Sequence, residues 1–333
     1  MLRVRPSTTR ASVVAGLLTL VACSAGGGTT AAGSAGPPPP VTADEARVLW
    51  DAEQSLLRDC MARHGFEYWA APHDPIPEDR DFPYVVDDVG WARRHGYGSD
   101  IVDRIDRLRD QNPNRRYLEA LPAQRRKAAF TALNGEGPRP GTVKRRPDQL
   151  EVWLPTGGVV RRSALSCTSQ AQRQLYGDLP EWYRATRTLQ NLDSVRTARV
   201  HRDPRFTSAV AAWSACMRER GHPYADPSDA RAEALAQAPT GPEAREKEIS
   251  TAVAEATCAG TAGLAAVARD LDEQYARDIA QRYRREVRTE RRLQRAALPR
   301  ALTITAAGPS PAGGATQTLI DNPLRNTQGK DNS

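Results

Sequence analysis

Four cysteines stand in the body of this chain, at 60, 167, 216 and 258, and two of them open nearly the same phrase, CMARHGFEY at 60–68 and CMRERGHPY at 216–224. Thiols in such a chain can shuttle electrons, ligate a soft metal or form structural bridges. A redox or zinc site needs two thiols close in sequence, or histidines at helical spacing, because the ligands converge at about 2 Å from one ion. No C-x-x-C occurs, and the five histidines (His64, His73, His95, His201, His222) include no H-x-x-x-H or H-E-x-x-H. His64 and His222 follow their cysteines by different offsets, so the repeat does not carry a shared ligand set. The sequence therefore predicts no metal site and no cofactor.

Nucleophile elbows (G-x-S-x-G) and phosphate loops (G-x-x-x-x-G-K-[ST]) are also absent, so no catalytic residue is assigned. Paired carboxylates within Glu78, Asp79, Asp81, Asp87 and Asp88 could serve glycoside hydrolysis of envelope polymers or calcium binding, but the favoured reading is a solvated loop whose last Asp residues cap the next helix. WARRHGYG (91–98) groups Trp91, Arg94, His95 and Tyr97, aromatic and basic side chains that could contact a sugar, a peptide or an anionic polymer. Its alternative is Trp91 in the core and Gly96 as a helix stop. RYRREVRTERRLQR (282–295) places seven Arg and two Glu on a helix. That run suits an anionic lipid surface or a charged solvent face with Glu–Arg pairs.

The compartment decides what the thiols do. Arg3, Arg5 and Arg10 precede ten apolar or small residues, VVAGLLTLVA, and then Cys23. This is too short to span a bilayer, which takes about 20 residues, and has the form of an export signal. Leu20-Val21-Ala22-Cys23 resembles a bacterial lipobox, so residues 1–22 read as a signal peptide and Cys23 as the lipidated residue. SAGGGTTAAGSAGPPPP follows, and 23–40 reads as a flexible tether. Losing residues 1–22 removes three Arg and no acid and leaves a net charge of +4. Nucleic acid is a poor partner for an exported protein of such modest charge. With Cys23 acylated, four cysteines remain in an oxidising place, enough for two disulfides with three connectivities open.

Apolar residues at three- and four-residue steps predict helices that carry Cys60 and Cys216 on a buried face and stop at Gly65 and Gly221. QLEVWLPTGGVVRR predicts a β-hairpin near 149–162. From Pro242 to Leu298 the periodicity runs on as one long helix, interrupted only weakly by Gly260 and Gly263. Residues 303–333 are rich in Gly, Pro, Thr and Asn with few apolar residues and read as a disordered tail. The fold class is thus mainly α, a disulfide-stapled helical ectodomain of two related units, 41–200 with the hairpin and 201–302 with the long helix. The duplication favours Cys60 with Cys167 and Cys216 with Cys258, each bridge tying a unit's first helix to its last.

CMARHGFEY, WARRHGYG, LYGD (175–178) and CMRERGHPY, behind a lipobox and a Gly/Pro tether, resemble secreted, mostly helical lipoproteins of actinobacteria. That resemblance implies location and architecture and carries over no catalytic residue. The expected function is a binding or structural role on the outer face of the cell membrane. The partners expected are the membrane, through the lipid, and an anionic envelope polymer or another envelope protein. An envelope-polymer hydrolase and a solute-binding lipoprotein are the alternatives.

Overall fold

In the computed structural model, which describes residues 37–137, 146–236 and 241–308, the repeated phrase closes a helix the same way twice. Helix α1 (Ala43–Arg63) begins with a reciprocal cap in which Glu45 N–H donates to the Thr42 hydroxyl and Thr42 N–H to the Glu45 carboxylate. It ends where Gly65 turns left-handed at φ 75°, and Phe66 N–H reaches back to the Met61 carbonyl at 3.0 Å. In the second copy Gly221 has φ 81° and His222 N–H donates to the Met217 carbonyl at 2.9 Å. Both are Schellman stops, which require the positive φ that glycine adopts freely. Both methionine side chains are buried beneath their stop.

The chain then runs through a strap to α2 (Val89–His95), α3 (Ser99–Asp110), α4 (Pro113–Ala120) and α5 (Ala123–Asn134). Tyr68 and Trp50 pin the start of the strap to α1: the Tyr68 hydroxyl donates to Gln54 Oε1 at 2.9 Å, and Trp50 Nε1–H to the Ala71 carbonyl at 2.8 Å. Strands β1 (Gln149–Trp153) and β2 (Val159–Ser163) pair antiparallel with Trp153 opposite Val159, the one sheet among the described residues. Helices α6 (Cys167–Tyr176), α7 (Leu179–His201), α8 (Pro204–Glu219) and α9 (Pro227–Ala236) follow. The last three are α10 (Pro242–Thr261), α11 (Leu264–Arg282) and α12 (Arg284–Ala306).

Two disulfides hold this mainly helical body, Cys60–Cys167 between α1 and α6 and Cys216–Cys258 between α8 and α10. Neither ties a first helix to a last one, since α7 follows α6 and two helices follow α10. The single long helix expected over 242–298 is three. Gly263, left-handed at φ 80°, bends α10 from α11 by 71°, and Tyr283 separates α11 from α12. Helix α12 continues past 303 to Ala306, through Pro299, so the expected tail starts later. Its remainder from 309, with residues 1–36 (the leader, Cys23 and most of the tether), lies outside the described residues. Pro38, Pro39 and Pro40 are not free tether, because Arg291 and Arg295 of α12 donate to their carbonyls.

The described residues all fall in one compact unit. Its apolar interior comes in three clusters, two of which mix the two sequence units. One joins Leu49 and Ala52 of α1 and the stacked Tyr176 and Trp182 to Leu293, Ala297 and Ala301 of α12. Another surrounds Cys60–Cys167 with Met61, Phe66 and Ala171. The third sets Phe82 and Val86 of the strap and Trp91 of α2 against Trp213, Met217 and the alanine face of α10. No single helix among the described residues is long and apolar enough to cross a membrane.

Bridges that close loops of 107 and 42 residues restrict the unfolded chain by about 5 and about 4 kcal/mol in a loop-entropy account. Replacing either pair by alanine is expected to lower the unfolding free energy by about 2 to 5 kcal/mol. The Cys60/Cys167 pair should cost more. Urea denaturation without reductant, followed by far-UV circular dichroism, checks this, and unchanged midpoints would contradict it.

Candidate functional site

Helix α10 carries two glutamates seven residues apart, Glu248 and Glu255, on the same side as Ala252 and Ala259, and all four are buried. Both carboxylates face the strap and hold it. Glu255 accepts from Val86 N–H at 2.7 Å and from the Tyr97 hydroxyl at 2.6 Å. Glu248 accepts from Tyr97 N–H at 2.7 Å, from the Ser99 hydroxyl at 2.5 Å and from Arg245 at 2.9 Å. Arg245 also donates to the carbonyls of Arg94 and His95 and to Asp100. A Cβ on Gly96 would come within 2.6 Å of the Glu248 carboxylate, so only glycine lets the loop approach this closely.

This fastening decides what WARRHGYG does. Trp91 and Tyr97 are buried; Trp91 packs on Phe82 with ring centroids 4.7 Å apart and donates Nε1–H to the Glu78 carbonyl. His95 is largely covered, with Nδ1 2.8 Å from Asp100. Of the four side chains singled out for binding, only Arg94 is exposed. The group is brought together as a docked loop, without a free aromatic face for stacking.

The acidic loop divides among several tasks. Asp88 caps α2 through Trp91 N–H and pairs with Arg80, while Glu78 pairs with Arg104. Asp81 and Asp87 do line one cleft of about 270 Å³, together with Arg80, Arg196 and Asp272. Both are exposed, whereas a general acid for glycoside cleavage sits against an apolar wall that keeps it protonated. Ser228, His201 and Asp226 share another cleft of about 270 Å³, but they are wired unlike a nucleophile relay. The Ser228 hydroxyl donates straight to Asp226, which caps α9, and His201 Nε2 lies 3.3 Å from the Pro83 carbonyl. Cys60, His64 and Cys167 also converge, but their two sulfurs are bonded to each other.

A groove of about 880 Å³ opens among the described residues between the end of α1, α5 and the foot of the hairpin. Phe66, Ala128, Ala132 and Leu165 give it an apolar floor. Arg125 and Lys127 stand on its rim, and Arg125 lies over the Phe66 ring at 4.8 Å while donating to the Gly65 carbonyl. Neither has a carboxylate within ion-pair distance among the described residues, whereas Arg146 is matched by Glu136 and Asp148. An apolar trough with two unmatched cations suits an extended anionic chain with some apolar surface.

Sequence reading missed both the groove and the α10 carboxylates. The groove leaves no local pattern, since α1, α5 and the hairpin lie far apart along the chain. The carboxylates do leave a trace: Glu248, Ala252, Glu255 and Ala259 step by four, three and four, a helix face on which two acids interrupt an apolar row. Comparison of the chain with protein-family models, with curated proteins and with solved structures finds no significant match.

Burial lifts Glu255 to about 7, against the pull of the Tyr97 and Val86 hydrogen bonds and the Arg231 charge. The folded state therefore binds this proton more tightly than the unfolded chain does. The stability so gained is full below the ordinary carboxylate range and is lost as pH rises through 7, about 3 kcal/mol in all. Unfolding free energies measured from pH 5 to 8.5 should fall less steeply in Glu255→Gln than in the parent, and parallel profiles would contradict the assignment.

Proposed function

We propose that the protein is a lipid-anchored lipoprotein of the cell envelope that binds or organises an envelope component outside the membrane, without catalysing a reaction. The observation that carries this reading is the fate of the thiols: all four cysteines of the described residues are taken up in two disulfides. Such bonds are compatible with an extracytoplasmic location and are rare where thiols are kept reduced. The leader, the lipobox-like Leu20–Cys23 and the Gly/Pro tether support the finer reading of acylation at Cys23.

Binding is assigned to the groove beside Cys60–Cys167. Its floor provides contact area, and Arg125 and Lys127 provide charge for an anionic envelope polymer. The clefts that hold acidic or hydroxyl side chains lack the acid–base wiring that catalysis needs. The groove needs no such wiring to bind.

Intact-mass analysis of the protein from its native membrane should show a chain beginning at Cys23 with a diacylglycerol adduct, and thiol titration should find none free before reduction and four after. An unmodified residue 23, or free thiols before reduction, would sink the lipoprotein reading. For the groove, exchanging Arg125 and Lys127 for Gln is expected to weaken binding of isolated anionic wall polymer about tenfold by calorimetry, with a neutral polysaccharide as the blank. Binding untouched by that exchange would place the partner elsewhere.

A further inference from the structure

The seven arginines between 282 and 295 do not form one solvated row. Arg291 donates to the Pro38 carbonyl at 3.2 Å, and Arg295 donates to those of Pro39 and Pro40 and pairs with Glu45 at 2.6 Å. Arg292 pairs with Glu181 at 2.7 Å. The other four, Arg282, Arg284, Arg285 and Arg288, are exposed and have no carboxylate within 4.0 Å among the described residues. Of the i to i+4 pairs that the sequence offers them, Arg282 with Glu286 is split across the helix break at Tyr283, and Asp278 with Arg282, both within α11, does not close to an ion pair.

Arg284, Arg288, Arg291 and Arg295 step by four, three and four, so they share one face of α12. From Pro40 back to Pro38 the chain passes from Arg295 to Arg291, toward the amino end of the helix. There Arg288 and Arg284 continue the row beyond the last captured carbonyl. Arg284 is seven residues from Arg291, about 10 Å along the axis. Three arginines in the first turns of a helix with no side-chain cap oppose its dipole, so helix stability does not explain them.

We propose that this amino end of α12, with Arg282, Arg284, Arg285 and Arg288, is a face that rests on the anionic phospholipid headgroups of the membrane carrying the protein. The proposal rests on the lipoprotein reading. Thirteen residues separate Cys23 from Pro37, and a coil of that length and composition spans about 20 Å. Docking of Pro38–Pro40 along α12 makes its amino end the part of the helix nearest the point where the tether leaves. Four unpaired cations are thereby held where the surface potential of an anionic leaflet acts, within a few screening lengths of about 8 Å.

The probe is the leader-free, unacylated chain from residue 24, oxidised, in sedimentation with vesicles of phosphatidylcholine containing about 30 % phosphatidylglycerol. It should bind these at low salt, release at about 0.3 M salt and ignore pure phosphatidylcholine vesicles. The combined Arg282→Gln, Arg284→Gln, Arg285→Gln and Arg288→Gln variant should lose about fivefold per charge, a fall of several hundredfold. A control with Arg63, Arg93, Arg107 and Arg220 changed to Gln loses the same charge from exposed, unpaired sites and should bind as the parent does. Equal loss in both variants, no loss in the first, binding to neutral vesicles, or displacement by soluble anionic wall polymer at equal charge would each overturn the proposal. A chain that is acylated in its native membrane yet ignores anionic vesicles would fail here alone and leave the lipoprotein reading standing.

Discussion

The described fold depends on how α10 holds a long stretch of irregular chain. Residues between α1 and α2 have no sheet or helix to satisfy their amides, and a buried main-chain donor without a partner costs about as much as a lost hydrogen bond. Glu255 supplies an acceptor for Val86 of that stretch, and Glu248 supplies one for Tyr97 and Ser99 in the turn between α2 and α3. Burying a carboxylate is itself costly unless donors surround it, and here the end of the strap and the turn after α2 provide them. Each side thus meets the need of the other. The alanines between the glutamates let the strap come close enough for the bonds to form.

That arrangement suits a chain poor in large core residues. With four Phe in 333 residues, the interior cannot be filled by aromatic packing alone, and it divides into three modest clusters. Alanine faces on α10 and α12 compensate by close approach: Ala252, Ala259, Ala297 and Ala301 are fully buried. Such faces bury little area per residue. The disulfides add what the small side chains cannot, by limiting the unfolded chain in two loops that do not overlap. Neither loop includes α12.

Much of the framework is legible in the sequence because it is written in local chemistry. The Schellman stops at Gly65 and Gly221, the Thr42 cap and the Gly157-Gly158 turn each depend on residues a few positions apart. The pairing of the cysteines follows from the duplication. The division of 242–306 into three helices is less legible, because helical periodicity survives a bend: Val253 and Ala256 before Gly263 and Leu264 and Leu271 after it keep one apolar phase, although the φ of 80° at Gly263 reorients the axis. WARRHGYG is ambiguous in sequence for a related reason. Its aromatic and basic composition fits a binding loop and a docked one equally, and only the acids of α10, some 150 residues away, decide between them.

The distribution of arginines on α12 shows how one charge run can serve two ends. Arg295 reaches Glu45 and the last prolines before α1, while Leu293, Ala297 and Ala301 pack on α1 from the other side of the helix. These contacts span some 250 residues and lie outside both disulfide loops, so non-covalent packing alone keeps α12 on the first helix. Pro299 leaves the Arg295 carbonyl without its ordinary helical donor, yet the helix runs on to Ala306 because Ala297 and Ala301 are locked on either side. A run of like charges would by itself loosen such a helix. The residues with fixed acceptors are those beside the packed segment, and the unmatched ones gather toward the amino end, before the first buried residue, Leu293. Attachment of the chain's start and exposure of its charge are thereby separated along one helix, with the exposed part reaching across the break at Tyr283 to Arg282.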